Sequence, residues 1–574
     1  MARGNLWDEI RAWAAAHPNA ALALAVCAAL GPFLAKPFNM DDPLFIWTAH
    51  QIQAHPFNPF GFDVNWYKAA SPMWSVTENP PLAGYYMALA AGILGWSEIA
   101  LHLAFLLPAL GVILGTHRLA RRFCDRPLPA ALVVLCAPVF LVSSATVMCD
   151  VLMLAFWVWA VEFWMEGMER NCLWRLLAAG LLIALAALTK YFGVCLIPLL
   201  GVHAWMSRRG FGKWMAGLLI PLLALCAWDW AARALYQHSL LWQAAGYSSR
   251  MRDWDSGAKA AVVLTGLAFT GGCLAPVIFL APWLWRRRVL AALAGGAALL
   301  SLAIFLQGPL WQKYSWLKGT LRLSTEAQII IWTIGGVFVV ALAVADIWKS
   351  LNPNLNLKPT PPTISPGDNA SAWLLALWVL GTFVFSAFLN WTINGRSILP
   401  MAPAVGILAA RRLSAGAVGN RPALWRRGRV IAWAAAALFG LLVAQSDFVM
   451  AAAVRQSALQ TSLRYRRDGE TLWFQGHWGF QYYMAQQGGR AQDINQPGPR
   501  PGEFLAVPFN NTNLHPPNWR SEELHFAGPR WITTLEGDIG AGFYTSQAGP
   551  LPFAVGAVPP VVVVVFRLES GPPL

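Results

Sequence analysis

Four stretches of this chain, Ala130 to Val142, Val262 to Leu284, Ile329 to Ala345 and Val430 to Val443, run with almost no charge. A bilayer core of roughly 30 Å takes about 20 apolar residues per helix, and backbone amides inside lipid must be satisfied within the segment, which makes these helices. Charged residues are 12% of the chain and hydrophobic ones 57%, roughly half the charge of an ordinary soluble domain. The pattern predicts about thirteen spans, over 19–37, 99–117, 127–143, 147–165, 173–189, 191–206, 213–232, 260–284, 289–307, 328–348, 372–389, 397–413 and 430–450. The expected fold class is thus an all-α polytopic membrane protein.

The formal net charge of +14 raises nucleic acid as a partner, but its distribution gives a different account. Arg118, Arg121, Arg122 and Arg126, then Arg208, Arg209 and Lys213, then Arg286 to Arg288, then Arg411, Arg412, Arg426, Arg427 and Arg429 sit in short loops at alternate helix ends. This is the positive-inside arrangement. It predicts a multi-pass membrane protein with a cytoplasmic N-terminus, no nucleic-acid partner, and a C-terminal region on the outer side. The first span reads as a retained signal anchor. The eight cysteines all fall in spans or short loops, so no disulfide framework is implied.

The expected division is a transmembrane region over 1–450, with a large first external loop over 38–98, and an external α/β domain over 451–574. In the loop, Leu82 to Trp96 suits a helix lying in the interface. Asn352 to Asn369 reads as a linker. In the tail, Thr471 to Gln475, Glu503 to Pro508, Trp531 to Thr534 and Val561 to Phe566 predict short strands, with a helix over Phe480 to Gln487.

Asp41 and Asp42 open the first loop directly after the first span. Carboxylates at a membrane boundary can serve as a general base or as metal ligands, or simply end a helix and face water. Asp150 sits at the start of a helix, where the dipole favours a carboxylate and capping is the alternative role. Lys190 lies in a very short turn between apolar helices, where an ammonium either finds an anion or snorkels to the interface. Asp229 has Arg233 one turn on, which suits a local ion pair. Asp253-Trp254-Asp255 is a weak metal-binding signal, and the ten histidines show no metal-ligand spacing. The aromatic run Trp473 to Tyr483 suits either a sugar-binding face or a strand–turn–helix core.

The segment Glu78-Asn79-Pro80-Pro81-Leu82-Ala83-Gly84-Tyr85-Tyr86 resembles the end of the first external loop in the polyprenyl-phosphate-sugar-dependent glycosyltransferases of the GT-C fold. That group includes the protein O-mannosyltransferases and lipid A aminoarabinose transferases of glycosyltransferase family 39. The acidic pair Asp41-Asp42, Ser143 to Asp150, Ala186 to Lys190 and Gly395 to Pro400 follow the same family's order, covering about Leu30 to Arg412. Asn79 stands where the family has Lys, Asp42 where it has Glu, Phe45 where Tyr is common and Ser397 where Tyr follows Arg. Lys68, Lys190 or Arg396 would then supply the charge missing at position 79.

The resemblance implies a GT-C-like bundle and an inverting transferase. It would move a sugar from a polyprenyl-phosphate carrier to a hydroxyl of a glycan, lipid or protein acceptor at the outer face. Asp41 and Asp42 would be the catalytic carboxylates, with Glu78, Tyr85, Asp150, Lys190 and Arg396 binding substrate. The resemblance fixes no cofactor, and a divalent metal is compatible with it. Membrane lipids are expected partners. The rival readings are a transporter or flippase, favoured by the intramembrane Asp229 and Arg233, and a non-catalytic lipid-binding scaffold of a polysaccharide complex.

Overall fold

The computed structural model describes residues 6–77, 79–208, 210–252, 259–352, 367–415, 423–466, 471–509, 511, 514–515, 517 and 520–567. Among them, seven helices are long and apolar enough to cross a membrane, or eight if one bent pair counts as a span. The chain is a helical multi-pass membrane protein with a small sheet region at its C-terminal end.

The difference from thirteen has local causes. The predicted span 127–143 is two short helices, Leu128–Leu135 and Pro138–Ser144, because Pro138 has no amide to continue the ladder. The predicted span 260–284 divides into Lys259–Cys273 and Pro276–Leu284, bent by 85°. Leu173–Thr189 and Tyr191–Ser207 remain short apolar helices separated at Lys190. Other elements are longer than expected, notably Gly319–Leu351 and the 43-residue helix Ala423–Tyr465. The latter runs past the expected boundary at 450 without a break.

Small residues let the helices approach. A Cβ on Gly271 would lie 1.8 Å from the Trp332 carbonyl oxygen, and one on Gly336 2.1 Å from that of Leu267. The helices Lys259–Cys273 and Gly319–Leu351 therefore meet backbone to backbone, the packing that drives association where lipid removes the hydrophobic gain.

The first loop forms the helix Asp42–Ala54, a two-stranded hairpin of Asp63–Asn65 with Ala70–Pro72, and the apolar helix Leu82–Leu94. The C-terminal sheet has five strands in the order Arg490–Ala491, Leu472–Phe474, Phe504–Pro508, Val561–Arg567, Ser521–Phe526. The first three are parallel and the last two pair antiparallel. Phe504–Pro508 is buried throughout and central, whereas Ser521–Phe526, with two glutamates exposed, is an edge, and charge on an edge discourages further pairing. The helix Trp478–Gln486 follows the first strand, close to the expected Phe480 to Gln487.

Candidate active site

A cavity of about 1510 Å³ opens between the first loop, the helix Leu240–Met251, the segment around Arg396 and the C-terminal region. The chain reaches it through a turn at Met40, whose φ of 50° lies in the left-handed region. Strain of this kind is retained where the surroundings hold it in place. Just beyond it the two successive aspartates part, one to the cavity and one to the core.

Asp41 lines the cavity and Asp42 does not. The Asp41 side chain is 30% exposed and its Oδ2 is 2.8 Å from Arg396 Nη1. Asp42 is fully buried. Its Oδ2 accepts from the Asn39 amide at 3.0 Å and its Oδ1 from the Val147 amide at 3.0 Å. Burial pushes the Asp42 carboxyl up to about 7, against the pull of Lys36 and those two amides, with Asp41 adding to the rise. The catalytic assignment of Asp42 is therefore corrected: it ties the first loop to the Val147 turn.

Asp150 lies in the first turn of Cys149–Glu169. Its Oδ1 meets Lys190 Nζ at 2.5 Å, while Oδ2, buried, has no hydrogen-bond partner among the described residues. The side chain thus goes to a cation and not to the helix end. Lys190 leaves its helix in extended backbone (φ −152°, ψ 129°), so its ammonium turns to the cavity instead of snorkelling along the helix. Arg396 sits in the short helix Gly395–Ile398, whose preceding Asn394 accepts from the Ser397 amide. Ser397 itself bonds Asn394 and Asn390, and this network occupies the position where an aromatic hydroxyl was expected.

Four of the residues picked from sequence, Asp41, Asp150, Lys190 and Arg396, thus converge from four distant segments as two carboxylate–cation pairs. Lys68 and Asn79 also line the cavity. Tyr85 does not join them: its hydroxyl donates to the Pro56 carbonyl, which corrects its expected substrate-binding place. Glu78 and the motif Asp253-Trp254-Asp255 lie outside the described residues. Asp229 pairs with Arg233 at 2.8 Å as a local i,i+4 pair, which removes the observation that favoured a transporter. No group of three His, Cys, Asp or Glu side chains that could hold a metal occurs among the described residues.

The cavity changes character along its length. Toward the helices it is apolar, with Phe192, Val194, Leu241, Phe385 and Leu389; toward the C-terminal region it has Trp478, His515, Tyr544, Thr545 and Gln547. Of this second wall sequence reasoning had only Trp478, within the aromatic run Trp473 to Tyr483, and missed His515, Tyr544, Thr545 and Gln547; it also missed Lys36, which pairs with Asp447 in full burial. A signal for the pair existed, because Asp447 stands alone inside an apolar span and an intramembrane charge calls for a partner.

The family described as dolichyl-phosphate-mannose-protein mannosyltransferase matches residues 78–230. That stretch holds the Glu78 to Tyr86 segment, Asp150 and Lys190, so the resemblance to glycosyltransferases with a lipid-phosphate-linked donor holds there. Among solved structures, the chain is similar to the archaeal oligosaccharyltransferase AglB from Archaeoglobus fulgidus, at 13% identity over 86% of this chain and 70% of that one, with a TM-score of 0.47. It is also similar to ArnT from Cupriavidus metallidurans bound to undecaprenyl phosphate, at 15% identity over 86% and 92%, with a TM-score of 0.41. The arabinofuranosyltransferase AftD from mycobacteria aligns at 11% identity over 98% of this chain and 40% of that one, with a TM-score of 0.36. No curated protein matches the chain.

Proposed function

We propose that this chain, matched over 78–230 to transferases that draw on a lipid-phosphate sugar, is an inverting glycosyltransferase. It takes one sugar from a polyprenyl phosphate and passes it to an acceptor hydroxyl at the outer face of the inner membrane. The observation that carries this reading is the pairing of Asp41 with Arg396 at the wall of a cavity that Lys190 also faces. A base for the acceptor and cations for the phosphate lie within one space.

The chemistry follows from that placement. The acceptor oxygen attacks the anomeric carbon as the bond from that carbon to the phosphate oxygen breaks, and Asp41 takes the hydroxyl proton. Positioning and proton removal are the enzyme's main tasks, since phosphate leaves readily. Arg396 and Lys190 receive the charge on the departing phosphate by charge-assisted hydrogen bonds. The apolar end beside Phe192 and Phe385 takes the start of the polyprenyl chain. The basic clusters support a cytoplasmic N-terminus and a C-terminal region on the periplasmic or extracellular side. The acceptor hydroxyl belongs to a glycan, lipid or protein that approaches from the wall of Trp478, His515 and Gln547.

Purified protein incubated with a panel of radiolabelled polyprenyl-phosphate sugars should release or transfer one of them. Asp41→Asn keeps size but cannot take the proton, and is expected to lower kcat by roughly 10²- to 10⁴-fold with the donor KM nearly unchanged. Full turnover in Asp41→Asn would remove the base from this position.

A further inference from the structure

The C-terminal region does more than close the cavity from one side. Its segment Phe543 to Ser546 is laced directly onto the turn that carries Arg396. The Gly395 amide donates to the Phe543 carbonyl at 2.7 Å, and the Ser546 amide donates to the Ile393 carbonyl at 2.8 Å. Ser546 Oγ accepts from the Ile393 amide at 3.2 Å, and the Thr392 and Thr545 hydroxyls are 3.0 Å apart. Contact is so close that a Cβ on Gly395 would stand 2.4 Å from the Phe543 ring. Tyr544 lies in the middle of this seam.

Tyr544 faces two charged groups from opposite sides. Its ring centroid is 5.8 Å from the Arg396 guanidinium carbon, within range of a cation–π contact. Its hydroxyl is 3.0 Å from both oxygens of Asp447. Asp447 also accepts from Thr534 at 2.6 Å and is paired with Lys36, and Lys36, Asp447, Thr534 and Tyr544 are all buried. Burial, with the Asp447 charge beside it, holds the phenol well above its ordinary value, so it remains a donor. The order of contacts is Lys36, Asp447, Tyr544, Arg396, Asp41.

We infer that Tyr544 is a positioning residue: its ring, delivered by the C-terminal segment and anchored by the Lys36–Asp447 pair, holds Arg396 against Asp41. This rests on the proposed transferase reading for its kinetic test, but the geometry it describes does not. A guanidinium has several rotamers open to it, and a ring fixed by a buried ion pair removes most of them before substrate arrives.

A double-mutant cycle separates this role from a contribution to folding. Tyr544→Leu is expected to lower kcat by about 10- to 100-fold in the otherwise native chain, and by less than about twofold in an Arg396→Ala background, because a residue that acts through Arg396 has nothing left to act on. Tyr544→Phe, which keeps the ring and loses only its anchor, should fall between, near threefold. An equal factor for Tyr544→Leu in both backgrounds would overturn the inference. If Tyr544→Leu does not fold, Tyr544→Phe carries the same cycle at its smaller factor. If the native chain transfers no sugar from any donor, the transferase reading fails, and the cycle is read on retention of undecaprenyl phosphate. Unequal factors there still support the positioning role, and equal factors or no retention sink it.

Discussion

The helix Cys149–Glu169 bears buried carboxylates at both ends and treats them in opposite ways. Asp150 and Glu166 are about 24 Å apart along its axis. At the far end, Glu162 takes Arg118 and Arg122, while Glu166 takes Arg118, Arg170 and Arg175. At the near end, Asp150 has Lys190 on one oxygen and nothing on the other among the described residues. The first arrangement is saturated, and cations wrapped around it fasten the helix to its neighbours. The second leaves a cation at the edge of a cavity with one partner to leave, so an incoming phosphate can compete for it. Equal chemistry serves as a fastener where it is complete and as a working group where it is not.

The sharpest way to break this contrast is at the saturated end. Glu162→Ala takes from Arg118 and Arg122 the carboxylate they share and leaves them only Glu166 and Glu169, a loss of about 1.5–3 kcal/mol for the charged hydrogen bonds. The melting temperature and yield should fall heavily, while turnover per folded molecule stays near the native value. A fall in turnover at unchanged stability would mean that this end also works. Lys190→Ala probes the other end, where the readout is donor binding. It should raise the donor KM by about 10- to 100-fold, the worth of one or two charge-assisted bonds, and also lower the melting temperature, because it leaves the buried Asp150 carboxylate without its cation. A lower kcat at constant KM would instead place Lys190 on the chemical step.

Asp42 lies between the two regimes, because its oxygens are saturated by amides and its charge is not. Its folded carboxyl is held at about 7 against an ordinary 3.8, so the folded chain binds this proton more tightly than the unfolded one. The stability it contributes is complete below pH 4 and is lost as pH rises through 7, by up to about 1.4 kcal/mol per pH unit. The native chain should therefore lose stability relative to Asp42→Asn across that interval, measured as the difference between their thermal midpoints. Parallel profiles for the two proteins would show that Asp42 stays ionised throughout.

How far the sequence could be read follows the same division. Charge-free runs and basic loop clusters are properties of single segments, so the polytopic class and most spans were legible from them. Breaks inside spans were harder: Pro138 is visible, but whether a proline ends a helix in lipid depends on neighbours that supply the freed backbone partners. Asp41, Asp150, Lys190 and Arg396 were found because each sits in a short ordered motif. The separate fates of Asp41 and Asp42 could not be read, since Asp42 is drawn inward by the Val147 amide, 105 residues away in the chain. Nor could Tyr544, which looks like any tail aromatic until the fold brings it under Arg396.

The pairing of Lys36 with Asp447 also has a consequence in time. The two residues stand 411 positions apart, and a ribosome adding about 5–20 residues per second needs roughly 20–80 s to make that interval. Through all of it Lys36 is already at the membrane without its counter-ion, and Asp41 is there without Arg396 until the greater part of the chain has been made. The partners that complete the segment around Lys36 are thus synthesised long after it. Chains cut short in the final span would carry an orphaned ammonium at the end of their first helix, a feature by which quality control could tell them from finished ones.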